Sequence, residues 1–458
     1  MKELNLILLL ALATAFSQPR TNSLVNFAHL QHLTQEIALN GERVSIVHVY
    51  ANYPSYEWVE AADSGEEGMA CVDDVARAAV VYLRSYELQH NTSNLASARS
   101  LLRFVMSMQA DDGNFFNFVR RDCSVNRDGK TSFKSFGWWA GRGVWAMSLG
   151  YRVMKDVDSQ FADDLKRCIH RSLPHVGQLL VQYGRTRRIV KFQLPEWLLY
   201  ESGADATTEL MLGLIEFYRA TGDEHVKAYI QKLADGLMMM QDGDIRTFPF
   251  GAHRSWETIW HSWGNGQSHV LAYAGSVLRD KKMIASAEKE AKGFYTRLLI
   301  DGMLKEWNFA EPQKKSVYEQ IAYGIRPMTL GLLRLYDATN NEVYLKMAGL
   351  AASWLFGNNV LQQSMYDSTT GRCFDGINDS TSLNRNSGAE STIEALYTLL
   401  EIEQYPLARK YLNYKKVAKM STKELISATF QDDSGEELIL ALNLKTGKQL
   451  AREGRGNR

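Results

Sequence analysis

The sequence predicts an all-α protein folded as an (α/α)6 toroid, a ring of six helical hairpins, with a small β-hairpin at its C-terminal end. A short opening of small and polar residues occurs six times, and each opening precedes a long apolar stretch. The openings recur at intervals of 70, 62, 61, 60 and 64 residues, measured between these markers: Cys71, Gly141, Gly203, Gly264, Gly324 and Gly388. A nearly constant interval of this length indicates a repeat architecture.

Each repeat contains two helices of different character. The stretches 204–218 and 267–278 are apolar on nearly every face, which is typical of a helix that is buried all round. A more amphipathic helix follows, as in 225–241 and 283–299. Four of the units then reach a turn with Asp or Thr before Gly, a turn signal because glycine accepts positive φ. Six such pairs close into a ring with the apolar helices inside, and the openings gather at one end of it.

The first 17 residues predict a signal peptide. Lys2 precedes an apolar stretch at 4–16, and small residues at 15 and 17 occupy the positions that a signal peptidase reads before it cuts at Gln18. The apolar stretch is shorter than the about 20 residues that a membrane span needs. We therefore expect an exported protein, periplasmic or secreted, with no membrane span.

The rest of the chain is predicted to form one toroid domain with an addition at each end. Residues 18–68 are expected to be an N-terminal helix and a loop that packs on the toroid, and the toroid itself occupies 69–420. Between 421 and 458 apolar and polar residues alternate over two short stretches, which predicts a small β-hairpin. The last residues, from 452 onward, are expected to be disordered.

The composition excludes several classes of protein. Lys plus Arg and Asp plus Glu balance at 52 each, so the charge favours neither nucleic acid nor an anionic membrane as a partner. The four cysteines lack the spacing of metal ligands, and no metal or cofactor is predicted. One disulfide between Cys123 and Cys373 is compatible with export, whereas a disulfide scaffold is excluded. The many aromatic residues suit a sugar-binding protein, but they suit a large core equally well.

Four carboxylates stand at the helix openings: Asp73, Asp74, Asp205 and Glu390. Taken singly, each would be explained as a helix cap or a first-turn acid. Taken together, they converge on one end of the ring from different hairpins. Hydrolysis of a glycosidic bond needs two carboxyl groups across the bond, one protonated and the other ionised. These four residues are therefore the candidate catalytic groups.

Aromatic and polar residues near the same openings are the candidates for substrate binding: Arg142, Trp139, His261, Trp263, Asn265, Tyr323 and Arg326. Tryptophan offers a flat face to a sugar ring, and arginine binds carboxylates in a bidentate fork. The alternative for each residue is a place in the core or in an ion pair. His261 and His269 lie eight residues apart with no third ligand, so they predict no metal site.

These features resemble the six-hairpin glycosidases, and most closely the unsaturated glucuronyl and unsaturated rhamnogalacturonyl hydrolases. The stretch 204–212 is similar to the family's segment around its catalytic Asp, which falls on Asp205. The stretch 263–266 is similar to the opening that follows in the family, and Asp73 matches the family's other functional Asp. The resemblance covers the architecture of most of the chain, and three short motifs carry the activity that it implies.

The sequence departs from the family pattern at the fourth opening. Trp263 is followed directly by Gly-Asn-Gly, without the Arg of the family motif. His269 stands near the position where the family has a further aromatic residue. A related family of uronic-acid-releasing glycosidases with the same toroid is therefore equally compatible.

The predicted function is that of an exported glycoside hydrolase acting on an oligosaccharide that contains a uronic acid or another anionic sugar. Asp205 is expected to be the general acid and Asp73 the residue that positions or activates water. Asp74 and Glu390 are further candidates for these roles.

Three alternatives stay open. A polysaccharide lyase on the same toroid would use Tyr323 and His261, with Arg326 and Asn265 neutralising a uronate. A toroid-type sugar epimerase would use two histidines, although export from the cytoplasm argues against it. A non-catalytic glycan-binding protein would use the acids only for affinity, since fold alone does not fix function.

Export is directly testable. We expect the exported chain to begin at Gln18, because Ser17 and Ala15 are the small residues next to the cut. Replacing Ala15 with Arg should retain the leader. Intact-mass measurement and N-terminal sequencing of the exported protein check both, and a chain that keeps Met1 and stays in the cytoplasm would contradict the prediction.

Overall fold

The computed structural model describes residues 23–62, 65 and 67–454, so the predicted signal peptide lies outside the described residues. The helices are α1 (Ala28–His32), α2 (Val72–Gln89), α3 (Thr92–Ser107), α4 (Trp138–Met154), α5 (Ser159–Leu179), α6 (Ala204–Thr221), α7 (Glu224–Met239), α8 (Gln267–Leu278), α9 (Lys281–Glu290), α10 (Thr296–Asp301), α11 (Ala322–Thr339), α12 (Glu342–Ala352), α13 (Ala389–Ile402) and α14 (Pro406–Lys410). A π-helical turn, Ala291–Tyr295, joins α9 to α10.

The strands lie in the connections between helices and at the two ends of the chain. They are β1 (Thr34–Leu39), β2 (Glu42–Val47), β3 (Tyr50–Asn52), β4 (Glu57–Val59), β5 (Ala70–Cys71), β6 (Phe118–Val119), β7 (Thr186–Ile189), β8 (Phe192–Pro195), β9 (Ile259–His261), β10 (Glu306–Asn308), β11 (Lys315–Ser316), β12 (Tyr366–Asp367), β13 (Arg372–Cys373), β14 (Gly376–Ile377), β15 (Leu383–Asn384), β16 (Lys415–Ser421), β17 (Leu425–Gln431), β18 (Glu437–Asn443) and β19 (Gln449–Gly454).

Six helices form a closed inner ring. In ring order they are α2, α4, α6, α8, α11 and α13; each packs against the next, and α13 packs back against α2. The helix that follows each of them along the chain packs on its outer side. The inner helices are buried almost throughout, whereas an outer helix such as α5 alternates buried and exposed positions. The predicted (α/α)6 toroid is confirmed.

The tight turn inside a hairpin has a local sequence cause. Gly222 ends α6 in the left-handed conformation at φ 68°, and Asp223 then caps α7 by accepting a hydrogen bond from the backbone N–H of His225 at 2.8 Å. Asn340 and Asn341 play the same two parts between α11 and α12. The left-handed residue allows the last carbonyl groups of one helix to find hydrogen-bond donors, and the Asp or Asn side chain accepts from the first N–H groups of the next helix. Two residues are therefore enough to reverse the chain.

Small residues allow the inner helices to approach closely. A Cβ atom on Gly213 of α6 would lie only 2.7 Å from the backbone nitrogen of Trp145 in α4. Any larger side chain would force the two helices apart. The many glycines and alanines of the inner helices are therefore a packing requirement of the ring.

The two ends of the chain contain more β-structure than the sequence predicts. The segment before the toroid has a five-residue helix, α1, and two antiparallel hairpins, β1–β2 and β3–β4, in place of a helix and a long loop. The C-terminal end is a four-stranded antiparallel sheet in the order β16-β17-β18-β19, not a hairpin. It begins at Lys415, six residues before the expected boundary, and its last strand includes Arg452, which was expected to be disordered.

The disulfide between Cys123 and Cys373 that the sequence leaves open is not formed in the structure, where all four cysteines are free thiols. Cys373 is buried in β13, and burial raises the pKa of its thiol well above the ordinary value. Across the part of the chain that the structure describes, no helix combines the length and the apolar character needed to cross a membrane.

Buried ion pairs cross the inside of the ring. Arg77 of α2 donates to Glu394 of α13 at 2.6 Å, Arg326 of α11 donates to the other oxygen of Glu394, and Arg326 also lies 3.3 Å from Glu209 of α6. All four side chains are at most 4% exposed. We call this set the axial ion-pair chain. Although burial acts to raise it, the pKa of Glu209 is lowered because Arg326 and Arg142 lie beside it.

Removing the central acid of this chain should be costly. We expect Glu394→Gln to lower the free energy of unfolding by about 3–5 kcal/mol, because it leaves two buried guanidinium groups without their shared carboxylate. Equilibrium urea unfolding measures the change. The matched control is Glu36→Gln, which removes the acid of the exposed Arg43–Glu36 pair and should leave stability essentially unchanged. A loss for Glu394→Gln no larger than that of the control would contradict the prediction.

Candidate active site

The openings of the inner helices meet at one end of the ring around a pocket of about 350 Å³. We call it the mouth pocket. It is lined by Trp138, Arg142, Asp205, His261, Trp263, Tyr323 and Glu390. Asp205, Tyr323 and Glu390 are each the second residue of an inner helix, as is Asp73, which contacts Arg142 at the same end. The repeat therefore delivers equivalent positions of different hairpins to one place.

Asp205 and His261 form a buried dyad in this pocket. His261 Nε2 lies 2.9 Å from Asp205 Oδ2, and Asp205 Oδ1 accepts a hydrogen bond from the backbone N–H of Ala206 at 2.7 Å. His261 Nδ1 is buried without a hydrogen-bond partner among the described residues. The indole of Trp263 stacks on the imidazole, with ring centroids 4.1 Å apart. The dyad is thus a hydrogen-bonded carboxyl group and imidazole that line the pocket with little of their side chains exposed.

Gly264 explains why the fourth opening needs a glycine. A Cβ atom there would lie 2.2 Å from Cε1 of His261 and 2.6 Å from Cβ of Asp205. Because these distances are shorter than any real Cβ contact, the backbone passes against the dyad only if residue 264 has no side chain. The glycine of the repeated opening therefore shapes the pocket itself.

Asp73 is held by a different set of partners. Its Oδ1 accepts a hydrogen bond from Arg142 Nη1 at 2.7 Å, and its Oδ2 accepts one from Asn117 Nδ2 at 2.9 Å. Arg142 Nη2 donates to the hydroxyl of Tyr323 at 2.7 Å, and that hydroxyl donates to Glu209 at 3.1 Å. Donors on both oxygens, one of them charged, suit an ionised carboxylate. The two aspartates therefore differ in what surrounds them.

Glu390 is the most accessible of the four candidate acids. Its side chain is 44% exposed, and one oxygen lies 3.2 Å from Arg77. Asp74, in contrast, faces away from the mouth pocket. It accepts hydrogen bonds from Arg77 at 2.7 Å and from the Cys71 thiol, and burial raises its pKa. Asp74 thus contacts the axial ion-pair chain through Arg77 and is not among the residues that line the mouth pocket, and its catalytic role stays a prediction.

Two further substrate-binding candidates do not reach the mouth pocket. Arg326 is engaged in the axial ion-pair chain and is 1% exposed. Asn265 is equally buried and accepts a hydrogen bond from the hydroxyl of Tyr295 at 3.2 Å. Both are committed to partners inside the protein, so neither is placed to touch a ligand in the pocket.

The paired tryptophans of the second opening have opposite roles. Trp138 lines the pocket and covers Arg142, whose guanidinium carbon lies 5.0 Å from its ring. Trp139 points into the core and donates from Nε1 to the carbonyl oxygen of Phe115 at 2.9 Å. Successive residues of a helix point about 100° apart, so only one of the pair faces the pocket. Trp138 therefore takes the place predicted for Trp139.

Tyr200 is a site residue that the sequence did not reveal. Its hydroxyl accepts a hydrogen bond from the backbone N–H of Trp138 at 3.1 Å. Burial raises the pKa of Tyr200, and the negative charges of Asp73 and Asp205 act in the same direction. It belongs to no repeated opening, and its left-handed φ of 51° is a feature of the loop before α6. Tyr200 also packs closely against Gly137. A Cβ atom on Gly137 would collide with the Tyr200 hydroxyl, so residue 137 has to be a glycine.

Metal chemistry finds no support in the described residues. No group of three or more histidine, cysteine, aspartate or glutamate side chains there is arranged to hold a metal ion. His269 is buried away from the pocket, and burial lowers its pKa well below the ordinary value.

Comparison with known proteins identifies the fold. No known protein family and no curated protein matches the sequence. Among solved structures, cellobiose 2-epimerase from Bacillus thermoamylovorans B4167 is similar with a TM-score of 0.59 and 14% identity, over 82% of this chain and 95% of that one. A sugar epimerase from a ruminal bacterium has a TM-score of 0.58 and 12% identity, over 84% and 96% of the two chains. A D-mannose isomerase has a TM-score of 0.54 and 11% identity, over 78% and 91%.

These similarities show that the chain has the (α/α)6-toroid fold that the sequence predicts. At such low identity the fold is what they have in common. The closer resemblance to unsaturated glucuronyl and rhamnogalacturonyl hydrolases remains a prediction.

The role of Gly264 leads to a test of the site's geometry. We expect Gly264→Ala to displace the backbone by about 1 Å and to break the Asp205–His261 hydrogen bond, because the new methyl group cannot fit beside either side chain. A crystal structure of the variant measures the separation. Gly177→Ala in the outer helix α5 is the control, since its Cβ would approach only the flexible end of Tyr229. A variant that keeps the 2.9 Å contact would contradict the assignment.

Proposed function

We propose that this protein is a carbohydrate-acting enzyme, and specifically a glycoside hydrolase that cleaves an oligosaccharide by carboxylate acid–base chemistry. The observation that carries the proposal is the different setting of two aspartates at one end of the ring. Asp205 lies in hydrogen-bond contact with His261, whereas Asp73 accepts charged and neutral hydrogen bonds from Arg142 and Asn117. Environments that separate two carboxyl groups in this way assign one to proton donation and the other to the ionised role.

The dyad supplies the proton in the proposed reaction. A proton passes from the Asp205–His261 dyad to the glycosidic oxygen as the bond between that oxygen and the anomeric carbon breaks. Asp73 positions a water molecule, accepts one of its protons, and leaves the hydroxyl on the anomeric carbon. The proton on Asp73 then returns to the dyad through solvent, so that atoms and charge balance as one oligosaccharide plus one water gives two sugars. Glycoside hydrolases use a pair of carboxyl groups in these two parts.

The pocket walls suit a sugar with a negative charge. Trp263 and Trp138 present aromatic rings on two sides. Arg142 lines the pocket with its Nε lacking a hydrogen-bond partner among the described residues. An anionic sugar, such as a uronic acid, would place its carboxylate toward this side chain. Glu390, being the most exposed acid, would contact hydroxyl groups of the sugar. Together with the predicted leader, this favours an enzyme that acts on oligosaccharides outside the cytoplasm, in the periplasm or the medium.

Two of the four residues that a lyase would need do not reach the mouth pocket. Arg326 and Asn265 would have to neutralise the uronate, but both are buried in other contacts. Burial also raises the pKa of Tyr323 far above its ordinary value, and its hydroxyl is held between Arg142 and Glu209. A base that must lose its proton near neutral pH is not expected there.

An epimerase remains the second candidate, because two of the similar structures are named as sugar epimerases. Epimerisation needs one group to remove a proton from a carbon and another to return it. Among the residues that line the mouth pocket, the only histidine is His261, and it is paired with Asp205. A mechanism that uses two histidines would therefore lack its second histidine in this pocket. Hydrolysis is for this reason the better-supported reaction. A protein that only binds glycans would not need the buried hydrogen-bonded pair of Asp205 and His261.

Product analysis tests the proposal. The mature protein is incubated with oligosaccharides that contain uronic acids and with their neutral counterparts, and the products are analysed by mass and ultraviolet absorbance. Hydrolysis adds one water per cleavage. A lyase conserves mass and creates a new absorbance, whereas an epimerase conserves mass without one. Either of these latter results would overturn the hydrolase assignment.

Substitutions then assign the roles. Asp205→Asn and Asp73→Asn should each lower turnover by about 10²–10⁴-fold, the range for loss of a positioned acid or base. The melting temperature should stay close to that of the unchanged protein. Asp163→Asn on the outer face of α5 is the matched control and should keep full turnover. Full turnover in Asp205→Asn would remove this residue from the mechanism.

A further inference from the structure

A second and larger cavity lies away from the mouth pocket. It has a volume of about 720 Å³, twice that of the mouth pocket, and the two share no lining residue. Its walls come from the end of α10, the β10–β11 hairpin, the loop at 357–362 and the first strand of the C-terminal sheet, β16. We call it the sheet cavity. A volume of this size is in the range of cavities that hold small ligands.

The sheet cavity contains an aromatic platform. Trp307 in β10 lies directly opposite Lys315 in β11, and the ammonium group of Lys315 sits 5.2 Å from the centre of the indole. The Nε1–H of Trp307 donates to the carbonyl oxygen of Pro312 at 2.8 Å. The ring also packs edge-on against Phe248 at 4.9 Å between centroids. These contacts hold the indole in place with the Lys315 ammonium group over its ring, and an aromatic ring next to a cation suits the stacking of a sugar that carries a negative charge.

The charge of the sheet cavity is predominantly positive. Its lining contains Arg297, Lys315, Lys415 and Lys416, whereas its only acid is Asp301, which pairs with Lys419 outside the cavity. The whole chain, in comparison, carries no net charge.

Two of these four cations have no hydrogen-bond acceptor for their charged group among the described residues. Arg297 donates to the carbonyl oxygens of Gly293 and Ile245, and Lys416 donates to that of Ile300. Lys315 and Lys415, in contrast, have neither a carboxylate nor a hydrogen-bond acceptor among the described residues. Two ammonium groups are thus available to an anion that enters the cavity.

From these observations we propose that the sheet cavity is a second binding site, for an acidic oligosaccharide. The face of Trp307 would take a sugar ring, Lys315 and Lys415 would bind its carboxylate or sulfate groups, and the side-chain amide of Gln362 would reach its hydroxyls. The proposal goes beyond the hydrolase assignment, because binding here requires no chemistry in the mouth pocket. It also gives the C-terminal sheet a function, since Lys415 comes from that sheet and completes the site.

Binding to the two sites is separable by substitution. The Asp205→Asn chain is used throughout, so that no probe is consumed, and Trp263→Ala is added to weaken the mouth pocket. Isothermal titration is performed with a trimer of galacturonic acid, a sulfated chondroitin tetrasaccharide and a neutral trimer of galactose. We expect at least one acidic probe to bind the Trp263→Ala chain, the neutral probe to bind at least 10-fold more weakly, and added salt to weaken the acidic probe.

The lysines provide the deciding variant. Lys315→Gln combined with Lys415→Gln should weaken the acidic probe at least 10-fold, and so should Trp307→Ala. Lys423→Gln, an exposed lysine of the same C-terminal sheet region, removes one charge and should have no effect. Equal binding by the double variant and the control, or no acidic probe binding to the Trp263→Ala chain, would overturn the proposal.

Turnover keeps the two hypotheses apart. The double lysine variant with Asp205 intact should hydrolyse a short substrate at the unchanged rate, because neither lysine belongs to the mouth pocket. If the hydrolase assignment fails, the titrations still test binding in the sheet cavity independently. If the sheet cavity fails, turnover is unaffected.

Discussion

The axial ion-pair chain fixes how four of the six inner helices, α2, α6, α11 and α13, are rotated about their own axes. Four charges buried among apolar helices are tolerated only if each finds its partner, and those partners come from four different hairpins. The consequence appears one helical turn nearer the openings, since residues four apart share a helix face. Asp73 lies one turn above Arg77, Asp205 one turn above Glu209, and Glu390 one turn above Glu394. The ion pairs therefore direct Asp205 and Glu390 toward the mouth pocket and bring Asp73 against Arg142 at the same end of the ring.

The sequence predicts this arrangement in part. The interval between openings is sufficient to predict six hairpins, and the acids in the first turns predict which end holds the site. What the sequence does not predict is the rotation of each helix about its axis. Trp138 and Trp139 are equivalent in the sequence, and only packing against α6 and the core decides which of them faces the pocket. Arg326 was misassigned for the same reason, because its partner Glu394 is 68 residues away and belongs to another hairpin.

The C-terminal sheet shows a different limit of sequence reasoning. The two central strands, β17 and β18, alternate buried and partly buried residues, and this alternation is visible in the sequence. The flanking strand β16 is exposed at nearly every position and has no alternation to detect. Its lysines also have the character of an exposed sheet edge, where charge discourages pairing with other chains. A strand whose role is to border a cavity thus looks like a polar tail.

The dyad and the sheet cavity are joined by a small sheet. β9, which ends at His261, pairs with β10, and Glu306 is the residue directly opposite His261. Trp307 is the next residue of β10, and β10 pairs on its other side with β11, which carries Lys315. One three-stranded sheet therefore holds the histidine of the mouth pocket at one edge and the cation of the sheet cavity at the other. The backbone of this sheet, and not the toroid alone, sets the position of His261. A loop long enough to leave the ring after α10 is needed to build it, so the insertion between α10 and α11 belongs to the site as much as the helix openings do.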